Sequence, residues 1–294
     1  MNEQKSAPVR RKKRSQLAEI WRRMRRNRLA MLGLAVVVIL ILVAVFADQI
    51  ADYDTVVIKQ DVVHRFQGPS AKHWFGTDEL GRDIFARLVH GARISLLVGV
   101  VAVAIALATG GTLGAIAGYF GGKVDSIIMR GLDIFMSVPD ILFTMAVVFA
   151  LGANTVNLVI ALTLAYFTNY VRLVRSQILS LSDLEYVEAA KAGGASSARI
   201  ILTHIFPNAM GVIIVNTTLN VAKIILYEST LGFLGLGMPP PAPEWGQIIS
   251  DAREYMRVAP HMLVFPALAI VITACSVNLV GDGLRDAMDP HLKS

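Results

Sequence analysis

The chain has 294 residues, of which 54% are hydrophobic and only 17% are charged, and its mean hydropathy is +0.56. A soluble domain carries about a quarter charged residues, whereas the hydrophobic residues here form blocks of roughly 20, the length that a helix needs to cross a bilayer. This composition excludes a soluble domain and predicts an all-α polytopic membrane protein. The single cysteine, Cys275, lies inside a hydrophobic block, which excludes a disulfide framework and a cysteine-based metal site.

The net charge of +6 is concentrated at the N-terminus. Residues 1–28 contain eleven Lys and Arg and two Glu, a net charge of +9 that leaves −3 for the remaining chain. A basic tail can bind nucleic acid, but a hydrophobic segment begins at Leu29, and positive charge beside a first span keeps that end in the cytoplasm. We therefore expect a lipid bilayer and no nucleic acid as partner, a basic cytoplasmic tail at 1–28 and an uncleaved anchor helix at 29–47.

The hydrophobic blocks predict six transmembrane helices, at about 29–47, 94–120, 127–150, 155–171, 209–231 and 261–280. A cytoplasmic N-terminus places three connecting segments outside, at 48–93, 151–154 and 232–260. It leaves three segments in the cytoplasm, at 121–126, 172–208 and 281–294. The sequence thus predicts a first anchor, a five-helix core at 94–280, and both termini on the cytoplasmic side.

The second predicted helix carries Gly110, Gly114 and Gly118 at intervals of four residues, on one face. Such small residues let a neighbouring helix approach closely within a membrane, so we expect a packing contact here. The Gly-Gly-Lys sequence at 121–123 lacks the Ser or Thr that follows the lysine of a phosphate-binding loop, and is predicted to be a turn. The chain also lacks metalloprotease and nucleophile-elbow motifs, so we expect no catalytic site.

The segment between the fourth and fifth predicted helices has the pattern of a helical knob. Ser182 followed three residues later by Glu185 is typical of a capping box, which predicts a helix start. Gly193-Gly194 should end this helix, and Ser196 or Ser197 can cap a second one. Two short helices meeting at a glycine corner favour docking against a partner over an unstructured loop.

The same segment resembles the EAA loop of importer permeases of the ATP-binding-cassette (ABC) class, whose pattern is E-A-A, three residues, G, and later I-x-L-P. The matching residues are Glu188, Ala189, Ala190, Gly194 and Pro207. His204 and Phe206 depart from the pattern, since they occupy the Ile and Leu places. The resemblance implies that 182–208 is a coupling loop seated in a groove of a cytoplasmic ATPase, the alternative being a hairpin that serves only topology.

Three further stretches carry the resemblance: GTDELGRDIFARLVHGARISL (76–96), ESTLGFLGLGMPPPAPEWG (228–246) and GDGLRDAMDP (281–290). Together with the EAA loop, they resemble the C-type permease subunit of dipeptide, oligopeptide, glutathione or nickel importers, along essentially the whole chain. The resemblance implies the type I ABC importer permease fold, with cytoplasmic coupling helices, in a bacterial inner membrane. It also implies a homologous second permease, two ATPase subunits that bind ATP and Mg, an extracytoplasmic substrate-binding protein, and no cofactor on this chain.

The two outer stretches contain further candidate residues. In the first, we expect a structural turn with ion pairs, and as an alternative a substrate contact, at Asp78, Gly81, Arg82 and Asp83. In the second, the prolines after residue 238 cannot continue a helix. We expect Glu228 to tie the fifth helix to this proline-rich segment, and Trp245 to lie near the membrane interface or in a partner contact. The resemblance makes these stretches part of the surface that receives the binding protein.

The fifth predicted helix carries a polar stripe at Asn216, Asn220, Lys223 and Tyr227. Their spacing places them on one narrow helical face. A central lysine facing lipid costs roughly 2.5–3.5 kcal/mol, so the stripe should line a translocation path, or alternatively form interhelical hydrogen bonds worth about 0.6 kcal/mol each. On the fourth helix, a second and similar face is formed by Thr163, Tyr166 and Tyr170.

The resemblance implies ATP-driven import by alternating access, in which ATP binding presses two EAA loops together. A peptide cargo is favoured over nickel because the polar stripe contains no His or Cys. A secondary carrier would need acidic residues in mid-membrane and usually repeated halves, and we expect neither. A membrane-embedded enzyme would need a nucleophile–base or metal set, which the sequence does not indicate.

Overall fold

The computed structural model describes residues 16–289, and every regular element within this range is helical. The sole extended pairing there is an isolated bridge between Thr77 and Asp83. The predicted all-α class is therefore confirmed. The part of the basic tail that precedes Gln16, and the part of the C-terminal tail at 290–294, lie outside the described residues.

Three helices form the N-terminal part: α1 (Gln16–Met24), α2 (Arg28–Val45) and α3 (Ala47–Ile50). The side chain of Asn27 begins α2 by accepting a hydrogen bond from the backbone N–H of Ala30 at 3.1 Å. No charged residue follows Arg28 within α2, and most of the helix surface is exposed. This matches the predicted anchor helix at 29–47.

Helix α4 (Ile84–Phe120) has 37 residues and begins ten residues before the second predicted span. The predicted outside loop at 48–93 was therefore too long. The first turns of α4 carry polar side chains, so the hydropathy pattern did not predict a helix there. These side chains make hydrogen bonds to the preceding segment: His90 Nε2 lies 2.7 Å from the carbonyl oxygen of Ala51, and Arg93 Nε donates to the carbonyl of Ala44 at 2.9 Å.

The predicted third span at 127–150 is a broken helix. Helix α5 (Gly122–Met136) is followed by α6 (Asp140–Leu151), and the two are bent by 78° at the break. Pro139 explains the break, since it lacks an N–H and restricts the residue before it to extended backbone. The predicted continuous helix was wrong at this point.

Helix α7 (Thr155–Ser182) continues eleven residues beyond the predicted end at 171. The additional turns contain two arginines that pair with carboxylates of α5. These charged residues lowered the hydropathy of the segment, so the sequence pattern placed the end of the helix too early. Arg172 lies 3.0 Å from Asp133, and Arg175 makes a bidentate contact with Asp125, one arm of which is 2.6 Å. The glycine stripe of α4 packs against α7, as predicted: a Cβ at Gly110, Gly114 or Gly118 would overlap α7.

The predicted coupling region contains a short helix, α8 (Glu185–Ala192). It is followed by α9 (Ser197–Arg199), a π-helical turn at Ile200–Ile205, and α10 (Phe206–Phe233). The last three elements form one continuous helical run of 37 residues, Ser197–Phe233. The predicted second short helix is thus the first part of the fifth spanning helix.

The chain ends with α11 (Trp245–Ala252) and α12 (His261–Met288). Within residues 16–289, five unbroken helices are long and apolar enough to cross a membrane, and the bent pair α5–α6 raises the number to six. Six spans were predicted, and the structure gives six when this pair is counted as one span.

The two ends of the helix bundle are built differently. At one end, Arg23 donates to the carbonyl of Asp289 at 3.3 Å, and Val187 of α8 packs in a cluster with Tyr119 near the end of α4. At the other end, the segment after α3 packs on the segment around α11, with the Phe66 and Tyr255 rings 4.9 Å apart. Both termini of the described chain therefore lie on the same side as the predicted coupling loop.

Candidate coupling surface and translocation cavity

Helix α8 is a rigid knob with an exposed outer face. Its one fully buried side chain is Val187, which packs against Ile178, Ile200 and Ile205. On the outer face Glu188 and Ala189 are exposed, and the Glu188 carboxylate makes no hydrogen bond or ion pair within the described residues. Val187 thus fixes the inner face of α8 to the bundle, while Glu188 and Ala189 on its outer face can contact a partner.

The corner after α8 requires glycine. Gly194 has φ +75°, a left-handed conformation that an L side chain adopts at a cost. A Cβ there would meet nothing within 4 Å, so backbone conformation rather than space selects the glycine. The hydroxyl of Ser196 then accepts a hydrogen bond from the N–H of Arg199 at 3.4 Å and begins the next helix, as predicted.

The predicted capping box of α8 was wrong. Ser182 is the last residue of α7, and its hydroxyl donates to the carbonyl of Ile178 at 2.7 Å. The N-cap of α8 is Leu184, which has no side-chain cap. Of the other EAA positions, Ala190 is half-buried and Pro207 is exposed in the first turn of α10. Pro207 follows directly after the π-helical turn, an irregularity of the kind that accompanies proline within a helix.

A polar cavity of about 450 Å³ lies beside α10. Three members of the predicted polar stripe line it: Asn216, Asn220 and Lys223. The fourth, Tyr227, is not among the lining residues; its ring packs edge-on against that of Tyr166 at 6.0 Å. Because a lysine is costly to expose to lipid in mid-membrane, this cavity must face water or another subunit.

Helices α6 and α7 supply the opposite wall, which consists of Asp140, Tyr166, Asn169 and Leu173. Tyr166 was a predicted candidate, but Asp140 and Asn169 were missed. Asp140 is the first residue of α6 and is exposed at the helix break. The expectation of no acidic residue in the middle of a predicted span was wrong for the third span, because Asp140 lies near the middle of 127–150.

The other candidates on α7 belong to the helix interface. Tyr170 is fully buried in the central apolar cluster. Thr163 is also buried, with its hydroxyl 3.4 Å from the carbonyl of Ala102 on α4. Neither residue lines the cavity. Of the three residues predicted on this face of α7, only Tyr166 therefore contributes to the cavity, and the other two pack against neighbouring helices.

The outer turn at 78–83 is a buried ion-pair cluster. Asp78 accepts from Nε of Arg82 at 2.6 Å and from its backbone N–H at 2.8 Å. Asp83 caps α4 through the N–H of Ala86 at 2.8 Å. Gly81 has φ +76°, and a Cβ there would overlap the carbonyl of Asp61. With Asp78 at 2% and Arg82 at 4% exposure, the structural interpretation holds and a direct substrate contact by these two side chains does not.

Glu228 makes no hydrogen bond to the proline-rich segment within the described residues, and its carboxylate interacts with that segment only electrostatically, with the carboxylate of Glu244. The Glu228 carboxylate is fully buried and accepts from the hydroxyl of Ser95 on α4 at 3.3 Å. The tie is made by Glu244, whose carboxylate lies where a Cβ at Gly232 or Gly237 would overlap it. Glu244 also caps α11, accepting from the N–H of Gly246 at 2.7 Å. Burial raises the pKa of the Glu244 carboxyl to about 7.

Trp245 lies inside the chain and not in the partner contact that was predicted as one of its two places. Its side chain is 1% exposed, and its Nε1–H donates to the carbonyl of Leu88 on α4 at 3.0 Å. Gly91 makes room for it, since a Cβ at that position would lie 2.5 Å from the indole ring. No surface of this side chain is left for a partner, so Trp245 holds the outer segment against α4.

Two family models match the chain. Residues 110–294 match the binding-protein-dependent transport system inner membrane component. Residues 15–69 match the N-terminal transmembrane domain of oligopeptide transport permease C. The first match covers more than half of the chain and includes α7, the EAA loop and α10.

Whole-length relatives agree with this match. A dipeptide transport system permease protein of Alkalihalophilus pseudofirmus is 45% identical over 276 residues, covering 94% of this chain and 90% of the relative. A glutathione transport system permease protein of Escherichia coli is 46% identical over 275 residues, with the same coverage. Another glutathione permease, from Pectobacterium atrosepticum, is 42% identical.

A solved structure shares the fold. It is an inward-facing structure of the MetNI methionine ABC transporter, one chain of which is matched with a TM-score of 0.60 at 19% identity, over 70% of this chain and 98% of that chain. The predicted type I importer permease fold is confirmed, and so is the resemblance that the four motifs indicated. This chain belongs to the binding-protein-dependent transport system inner membrane components, the non-catalytic permease subunits of ABC importers.

Proposed function

We propose that this chain is one of two homologous pore-forming subunits of an importer that moves short peptides or glutathione from a binding protein into the cytoplasm. The observation that carries the proposal is that the exposed EAA knob, α8, packs on the start of the continuous helix Ser197–Phe233, and that the same long helix lines the polar cavity. The names of the relatives, dipeptide and glutathione permeases, support the choice of cargo.

The knob is the proposed site of energy coupling. Glu188 and Ala189 are exposed on a helix whose inner face is fixed by Val187, so a partner ATPase can move the knob as a unit. Two ATPase subunits, each binding ATP and Mg, would hold the knobs of the two permeases, and their closure would switch the cavity between the two sides of the membrane. Both termini then lie in the cytoplasm, because they share the side of the knob.

The cavity chemistry favours peptide over the alternative cargo, nickel. Its polar groups are a carboxylate, three amides, a phenol and an ammonium. Amides can bind a peptide backbone, whereas a lysine ammonium repels a divalent cation. Nickel sites prefer nitrogen donors such as imidazole, and no imidazole lines this cavity.

The test is uptake by the purified importer in liposomes, after the tagged chain has been isolated with its partners from its native membrane. Glu188→Lys should abolish both ATPase retention and uptake of a radiolabelled dipeptide, with the protein still inserted, because the side chain is exposed and its replacement disturbs no internal contact. Asp54→Lys, at an exposed position outside the coupling loop, is the matched control and should transport normally.

Two outcomes would contradict the proposal. Normal uptake by Glu188→Lys would mean that the knob does not couple to an ATPase. Uptake that survives ATP depletion and stops with a proton uncoupler would indicate a secondary carrier.

A further inference from the structure

The cavity carries one negative and one positive side chain that do not pair with each other. Asp140 stands at the start of α6, Lys223 lies on α10, and both line the same space. Neither side chain makes a hydrogen bond or an ion pair within the described residues. Two opposite charges on a membrane-embedded wall, left without partners, form a binding site for a ligand that carries both charges.

Three amide side chains line the same cavity as the two charges. Asn216 and Asn220 precede Lys223 on the same helical face, and Asn169 faces them from α7. Each amide offers both donors and an acceptor, which suits a peptide bond. The wall therefore presents a carboxylate, amides and an ammonium, which complement the ammonium, amide and carboxylate of a short peptide.

The size of the cavity agrees with this ligand class. An extended dipeptide spans at most about 7 Å from end to end, which fits within a space of about 450 Å³. A charged group on either end of the cargo loses part of its hydration on entering the cavity, and this loss is unfavourable unless an opposite charge replaces the lost water. Side chains of opposite charge at both ends offset that cost without contacting the variable side chains of the cargo.

We infer that this cavity is a cargo-binding site for zwitterionic short peptides, in which Asp140 binds the free α-ammonium and Lys223 the free α-carboxylate. The inference rests on the proposed function and adds a selectivity to it: the permease itself requires both free termini, whichever side chains the cargo carries. The site tolerates many sequences because only groups common to all peptides are bound.

The experiment uses the complete importer in liposomes, with radiolabelled alanylalanine as the probe and glutathione as a second zwitterion. Uptake and ATP hydrolysis stimulated by the loaded binding protein are measured in parallel. Asp140→Asn and Lys223→Gln should each lower uptake per ATP hydrolysed at least tenfold, while stimulated hydrolysis stays within twofold of the unmodified complex. Asp54→Asn and Lys123→Gln, at exposed positions that do not line the cavity, are the matched controls and should leave both readouts unchanged.

A second arm tests the assignment of each charge. Dipeptide loaded on the cytoplasmic side should inhibit uptake by occupying the cavity without the binding protein. In the unmodified complex, the N-acetylated and C-amidated dipeptides should inhibit at least tenfold more weakly than the free dipeptide. Asp140→Asn should lose the discrimination against the acetylated form only, and Lys223→Gln that against the amidated form only.

The outcomes separate the two claims. Normal uptake per ATP in both variants, or equal loss of uptake and hydrolysis, would overturn the zwitterion site and leave the importer assignment intact. Unchanged discrimination in the second arm would do the same. A purified complex that retains no ATPase, or that carries neither peptide probe, would overturn the proposed function itself.

Discussion

Helices α4 and α7 can approach closely at Gly114 because this residue has no Cβ, and adding a methyl group there should push them apart. A Cβ at this position would lie 2.5 Å from the carbonyl oxygen of Val171 and 3.0 Å from the backbone nitrogen of Arg175. Ordinary contacts of this kind begin at 3.4 Å, so α7 must move by about 1 Å for the methyl group to fit. Both obstructing atoms belong to the backbone, and no side-chain rotation can relieve them.

The expected cost of Gly114→Ala follows from comparison with a matched substitution. Gly131 lies within α5, and a Cβ there would meet nothing within 4 Å. Both substitutions gain about 1 kcal/mol of helix propensity, so this contribution cancels between them. The difference that remains is the overpacking cost, about 1–3 kcal/mol.

Thermal unfolding of the two variants in the same detergent measures this difference. At about 2–4 °C per kcal/mol for a chain of this size, Gly114→Ala should melt roughly 2–12 °C below Gly131→Ala. Gly114→Ser should fall at least as far, since it places the same Cβ at the same point. Equal melting temperatures for the alanine pair would refute the argument that backbone contact between α4 and α7 sets the stability of the bundle.

Three further substitutions have expected outcomes. Trp245→Phe removes the donor to the Leu88 carbonyl and should lower the free energy of unfolding by about 2–3 kcal/mol; wild-type stability would contradict a structural role. Glu244 has its pKa raised to about 7, so the native state binds the proton more tightly than the unfolded state. Stability should therefore fall as the pH rises from about 4.5 to about 7, and Glu244→Gln should make this slope smaller; an unchanged slope would assign it to another group. A double-mutant cycle of Asp125→Asn and Arg175→Gln should give a coupling energy of about 1 kcal/mol that weakens in high salt; zero coupling at low salt would show that the bidentate pair does not join α5 to α7.

Features that depend on local helical geometry were predicted correctly from the sequence. The spacing of Gly110, Gly114 and Gly118 fixes them on one face of any α-helix, and the structure places that face against α7. The same reasoning placed Asn216 and Lys223 together, and both line the cavity.

Features that depend on how distant segments meet were missed. Asp140 faces the cavity because Pro139 breaks the helix and turns α6 away from α5, whereas a hydropathy pattern treats 127–150 as continuous. Trp245 is buried because α4 passes over it, and nothing in the local sequence reports that contact. Ser182 is a residue type that often caps a helix, and it was predicted to begin α8, but it is instead the last residue of α7.

The continuous helix Ser197–Phe233 is long enough for a small tilt at one end to produce a large displacement at the other. With 37 residues and about 1.5 Å per residue, it is roughly 55 Å long, so a tilt of about 5° at one end displaces the other by about 5 Å. Its π-helical turn, at Ile200–Ile205, lies next to the knob and away from the cavity. Bending is concentrated at such irregular turns, and the groups from Asn216 to Lys223 would therefore move as one rigid set, keeping their mutual spacing throughout a transport cycle.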